Sequence, residues 1–289
     1  MAGILIFVGN LLIGLDDAFG QAANGANDAT IDEEYGEFIQ GFRAKLVGED
    51  FHFLIQRPFV VIGDEDKEVV QRRAESTVKW AVEHLKELYF KEDPDRIIGI
   101  WLFKDKESYD SHCESLFGLK PTTPFGFYSS AKKALIMNIS TGGGTLVHEI
   151  VHPYIAANFP DCPSWFNEGL ASLYEQSVER DNRICGLTNW RLRGLQAAIE
   201  GKRLSSFPDL LKTTKREFYA DATGTNYAQA RYLCYYLQEH GKLVDFYHRF
   251  RENVKTDSTG METLGALLEI DDWETFQADW ERFVMKLKF

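Results

Sequence analysis

The stretch TGGGTLVHEIVHPYI, Thr141–Ile155, decides how the rest of the chain is read. Three glycines lead into an apolar run carrying two histidines four residues apart, with a glutamate directly after the first. Residues i and i+4 stack on one helix face, so a helix here aims the imidazoles of His148 and His152 at one point. That geometry suits two ligands of a tetrahedral zinc ion and leaves positions for a carboxylate and a water. Glu149 lies beside such an ion, where it can accept a proton from the water. Gly142, Gly143 and Gly144 are poor interior helix residues and suit a sharp entry from strand to helix. Leu146, Val147, Ile150 and Val151 give the helix a buried side.

An HExxH string is short enough to arise by chance, so its surroundings matter. Downstream, NFPDCPS carries two prolines and reads as a turn. PSWFNEGLASLYE then resumes a helical pattern, and a helix folding back here brings Glu168 to the ion as a third ligand. Trp165, Phe166 and Leu170 read as the packing that sets this helix in place.

Working outward, Ile31–Leu46 reads as a helix, RPFVVIGDE as a strand and Glu68–Phe90 as a long amphipathic helix. RIIGIWLFKD and KKALIMNIS read as strands separated by a short helix at Lys106–Phe117. Beyond Gly144 the apolar spacing predicts helices around 163–176, 190–199, 227–240, 243–254 and 273–287. The expectation is an α+β fold: an α/β part over about 51–143, a helical part over about 144–289, and a cleft between them. The strand Ala134–Ile139 is expected at that cleft, where it could pair with an extended peptide.

HEIVH followed by WFNEGLA resembles the gluzincins, zinc metallopeptidases of the zincin fold whose third ligand is a glutamate, and is most similar to compact peptidase-MA-like families of bacterial proteins. The motif-level resemblance covers Thr141–Glu175, and the order of elements extends it from about Phe51 to Leu287. It implies a zincin-like peptidase with His148, His152 and Glu168 as zinc ligands and Glu149 as general base. In thermolysin-like relatives an aspartate four residues beyond the ligand glutamate orients the first histidine; here that position is Ser172, so the support of the histidine must be built differently or be weaker. The strand ALIMNIS lacks the glutamate with which aminopeptidase relatives bind a substrate's amino terminus. Gluzincins also supply an oxyanion donor from a downstream Tyr or His. Tyr227, at the first turn of the helix opened by GTNYAQARYLCYYLQEHG, is the first candidate and His240 the second, with a Tyr that merely packs the turn as the alternative.

Other classes find less support. The net charge of −12, with no basic block, argues against a nucleic-acid partner, which needs clustered Lys and Arg. Ile4–Leu15 is apolar but too short for a stable membrane span. Followed by Ala18, Gly20, Ala22 and Ala23, it fits a signal peptide over 1–26 and export to the periplasm or medium, with 27–289 as one metallopeptidase-like domain. No Lys or Arg precedes Arg43, so a mis-assigned start or a buried N-terminal element is the alternative. Cys113, Cys162, Cys185 and Cys234 form no CxxC pair. Cys162 and Cys185 are the candidate disulfide, with free thiols as the other reading. His52, His84, His112, His240 and His248 stand alone and read as structural. Arg191 and Arg193 read as exposed helix arginines, with a substrate-carboxylate anchor as the alternative.

Taken together, the residues predict a zinc-dependent hydrolase acting on a peptide or protein substrate. Two rivals stand beside it: a zinc-binding scaffold without catalysis, and a zinc hydrolase of a non-peptide amide. An intact Glu149 weighs against the scaffold, since a structural zinc site needs no base.

Overall fold

The structure, a computed structural model, describes residues 31–121 and 123–289. The signal-type segment 1–26 lies outside the described residues. Two compact units divide the chain, one ending at Gly48 and the other spanning Glu49–Phe289. In the first, α1 is helical over 31–43. Everything below concerns the second.

Its sheet has the order β1-β2-β3-β5-β4: β1 (His52–Gln56), β2 (Phe59–Gly63), β3 (Ile98–Phe103), β4 (Gly126–Ser129) and β5 (Ala134–Asn138). The three middle strands run parallel and the two edge strands antiparallel to their neighbours. Every residue of β2, β3 and β5 is buried. That explains why these strands read as continuous apolar runs rather than alternating ones. Phe59, Val61, Ile100, Leu102, Leu135 and Met137 share one core with the helices. The parallel β2 and β3 are joined through the predicted long helix. It consists of α2 (Lys67–Arg73), a π-wound stretch (Ala74–Lys79) and α3 (Trp80–Leu88). Buried Ala74 and Val78 lie in the π-wound stretch, which packs against the motif helix. Between β3 and β4 lies α4 (Lys106–Phe117), capped by Asp105, whose side chain accepts from the Ser108 amide.

After β5 comes one 3₁₀ turn, Ile139–Thr141, then the glycines, then α5 (Gly144–Asn158). The return helix is α6 (Ser164–Leu173), and the helical part continues with α7 (Arg191–Glu200), α8 (Phe207–Leu211), α9 (Lys215–Tyr219), α10 (Thr225–Glu239), α11 (Leu243–Asn253), α12 (Met261–Leu268) and α13 (Trp273–Lys286). The architecture is mixed α+β, as expected. No helix among the described residues is long and apolar enough to cross a membrane.

Three expectations need correcting. The region beyond Gly144 is not purely helical: a hairpin, β6 (Ser177–Arg180) and β7 (Arg183–Gly186), follows α6. Asp181 and Asn182 at its tip both take positive φ, +53° and +58°. Short polar side chains tolerate that region, and a two-residue primed turn demands it. The strand carrying ALIMN is interior, hydrogen-bonded to β3 on one side and β4 on the other. Its backbone is therefore spent, and β4 is the edge strand on that side of the sheet. Finally, of the two cysteine readings the free-thiol one holds: Cys113, Cys162, Cys185 and Cys234 are all unpaired, and the candidate Cys162–Cys185 disulfide is absent.

Candidate metal centre

The glycines work at two different points. Gly142 takes φ +110°, a conformation that side chains disfavour, and so turns the chain out of the 3₁₀ turn. Gly144, the first residue of α5, has no room for a Cβ: one built there would lie 2.0 Å from the Glu175 carbonyl oxygen. The absent side chain lets the segment leaving α6 touch the start of the motif helix. Both helices are buried on nearly every side, and Glu149 and Glu168 are buried with them. Pro153 sits inside α5 without breaking it, and has no N–H to give the Glu149 carbonyl.

His148, His152 and Glu168 come together as predicted, with one potential ligand atom from each lying within 4.8 Å of the others. Glu168 Oε2 stands 3.3 Å from His148 Nε2 and 3.9 Å from His152 Nε2. It is fully buried and, facing the two imidazole edges, makes no well-aligned hydrogen bond. A buried carboxylate is costly unless something cationic satisfies it, whether a protonated His148 or a metal ion. Two imidazole nitrogens and one carboxylate oxygen around a single point are a donor set that fits zinc. A buried His-His-Glu group able to hold a metal ion is therefore present.

The outer nitrogen of each ring has an acceptor oxygen beside it. Asn167 Oδ1 lies 3.0 Å from His152 Nδ1. An amide oxygen only accepts, so Nδ1 carries the proton and Nε2 keeps its lone pair for the site. Glu175 Oε1 lies 3.3 Å from His148 Nδ1, close but off the line of a hydrogen bond. Arg191 donates to Glu175 from Nη2 at 2.7 Å and from Nε at 3.0 Å, and Asn189 Nδ2 donates at 3.0 Å. The other Glu168 oxygen accepts from the Tyr219 hydroxyl at 2.5 Å. The end of α6, just before Glu175, is held by buried Arg231, whose Nε donates to the Ser172 carbonyl at 2.9 Å.

This ionic neighbourhood shifts the titrations. Burial on its own would lower His148, but the Glu168 and Glu175 carboxylates outweigh it and push it up to about 10. Burial would raise Glu168; His148, His152 and Tyr219 overcome that and hold it at about 2. Glu175 is likewise drawn down to about 2, with His148 and Arg191 outweighing burial.

Beside the cluster lies a cleft of about 760 Å³. His148, Glu149, Glu175, Arg191 and Tyr227 line it from the helical part, and Phe125 and Gly126 from the start of the edge strand β4. His152 and Glu168 are not among the lining residues. Glu149 makes no hydrogen bond or ion pair among the described residues and lines the cleft. Tyr227 is in the cleft wall as expected, with the Arg191 guanidinium 5.3 Å from its ring centre.

Other candidates lie elsewhere. His240 packs on Tyr236 at the far end of α10, its Nδ1 against the Tyr236 carbonyl. His112 contacts Glu49, His84 contacts Glu179, and His248 meets the Leu88 carbonyl, so these three are structural. Arg191 is not the free surface arginine expected but the clamp on Glu175, whereas Arg193 is exposed. Ser172 is fully buried with its hydroxyl unpartnered, and Glu175 faces the histidine in its place. Sequence reasoning missed Glu175, Asn167 and Tyr219. Asn167 could have been found by asking what side chain adjoins the third ligand; Tyr219 carries no sequence signal. Compared with known proteins, the chain matches no protein-family model and no curated sequence, so the reading of this site rests on its own geometry.

Proposed function

We propose that this chain is a zinc-dependent peptidase of gluzincin type with a zincin-like fold. The observation that carries the reading is Glu168 Oε2, buried and facing two imidazole nitrogens at 3.3 and 3.9 Å beside an open cleft, with no well-aligned hydrogen bond of its own. His148, His152 and Glu168 would hold the zinc. When bound, it would lower the pKa of a water and polarise the scissile carbonyl. Glu149 takes the proton of the attacking water and returns it to the leaving amine. Tyr227 is the hydroxyl in the cleft wall that can donate to the developing oxyanion. The edge strand β4, continuous with cleft residues Phe125 and Gly126, supports a peptide as substrate, since an edge strand can receive an extended chain. The N-terminal segment extends the proposal to export, with a mature protein beginning between about Gly20 and Asp28. Metal analysis of the purified protein, with a peptide-library cleavage assay, tests the reading. It requires about one zinc per chain and hydrolysis that stops on chelation and returns with zinc; metal-free protein after zinc exposure would refute it.

A further inference from the structure

Two of the large apolar side chains exposed in the described structure stand at the cleft: Trp190 is 60% exposed and Phe125 is 49% exposed. They approach it from opposite parts of the fold, Phe125 just before the edge strand β4 and Trp190 just before α7. Trp190 is held in place, because the Arg191 guanidinium stacks 4.3 Å from its ring centre and is itself clamped by Glu175. A chain of contacts thus runs from His148 through Glu175 and Arg191 to an exposed indole. The charge at the cleft is also accounted for. Among the described residues Arg191 is its sole lysine or arginine, and it is spent on Glu175, while Glu149 is the carboxylate left without a hydrogen bond or ion pair. Away from the metal site, such a cleft offers no free lysine or arginine to an acidic side chain.

We infer that Trp190 and Phe125 form a subsite for a large apolar or aromatic side chain of the substrate, next to the bond that is cut. This rests on the peptidase reading and adds the class of residue selected. An aromatic ring placed between the two leaves water on both faces, and its burial is non-directional, so selectivity follows size and apolarity more than shape.

The test uses the full chain loaded with zinc and carrying Glu149→Gln. It is titrated with four labelled peptides identical except for a central Phe, Gly, Asp or Lys, followed by fluorescence polarisation. The Phe peptide should bind about tenfold tighter than the Gly peptide, the scale expected for burying one aromatic side chain, and the Asp peptide should bind weakest. Adding Trp190→Ala or Phe125→Ala should bring the Phe and Gly peptides to within about twofold. Both residues are exposed, so melting temperatures should hold. Equal affinities, a preference for Lys, or no binding by any peptide overturns the subsite. Hydrolysis by the unsubstituted protein is scored separately. Cleavage without apolar preference removes the subsite and keeps the peptidase, whereas apolar-selective binding without cleavage does the reverse.

Discussion

Arg191 grips the Glu175 carboxylate with two hydrogen bonds, 2.7 and 3.0 Å, while the same carboxylate stands 3.3 Å from the outer nitrogen of His148. A cation in the cleft wall thereby fixes the carboxylate that faces the outer nitrogen of His148. Removing the charge by Glu175→Gln should weaken zinc affinity about ten- to a hundredfold, measured by competition with a chromogenic chelator. Ser172→Ala is the control: its buried hydroxyl has no partner to lose, so affinity should not change. The opposite ranking would return the orienting role to position 172.

Glu149→Gln removes a proton acceptor and no ligand. Zinc content and melting temperature should match the parent while turnover falls at least a hundredfold. His148→Ala and Glu168→Ala should instead lose the metal, since three protein ligands are the minimum for such a site. Elemental analysis beside kcat separates the two outcomes. A Glu149→Gln protein within a few-fold of full activity would end the general-base assignment.

Tyr219 and Tyr227 lie close together, ring centres 6.2 Å apart, yet only Tyr219 bonds the ligand carboxylate. Tyr219→Phe should speed zinc release, because Glu168 loses the donor that holds its second oxygen. Tyr227→Phe should keep zinc and lower kcat by about ten- to a thousandfold. If Tyr219→Phe lowers kcat with zinc retention unchanged, the oxyanion donor is Tyr219.

The metal-free site should be strongly pH-dependent. His148 titrates near 10 when folded against an ordinary 6.5, so its stabilisation is complete below about 6.5 and fades as pH rises through 10. Glu168 and Glu175 titrate near 2 against 4.5, so theirs is complete above about 4.5 and fades as pH falls through 2. The cluster therefore helps the apoprotein most between about pH 4.5 and 6.5. Zinc must expel the His148 proton, so uptake at pH 7 should release about one proton per chain. Calorimetry in buffers of different ionisation enthalpy measures that number, and zero would mean His148 is already neutral.

How far the chain could be read depended on what each residue's partner was. His148 and His152 share a helix face, and Glu168 follows a marked turn, so simple periodicity was enough to find them. Glu175 lies beyond the end of α6 at Leu173, where helical spacing no longer says where a side chain goes. Its partners, Arg191 and Asn189, follow a hairpin that the apolar pattern hid. Tyr219 reaches Glu168 across 51 residues, from a helix of five. The strand β4 has four residues, too few for an alternating pattern to register, and so its neighbour β5 drew the edge role.

The contact at Gly144 has a consequence for recognising this kind of protein. A related chain could retain HEIVH, Asn167 and Glu168 letter for letter and still be an inactive copy, because one methyl group at position 144 would collide with the Glu175 carbonyl and drive the orienting carboxylate off His148. The diagnostic letter for an intact site in such a lineage is then a residue with no side chain, four positions before the string that a motif search would score.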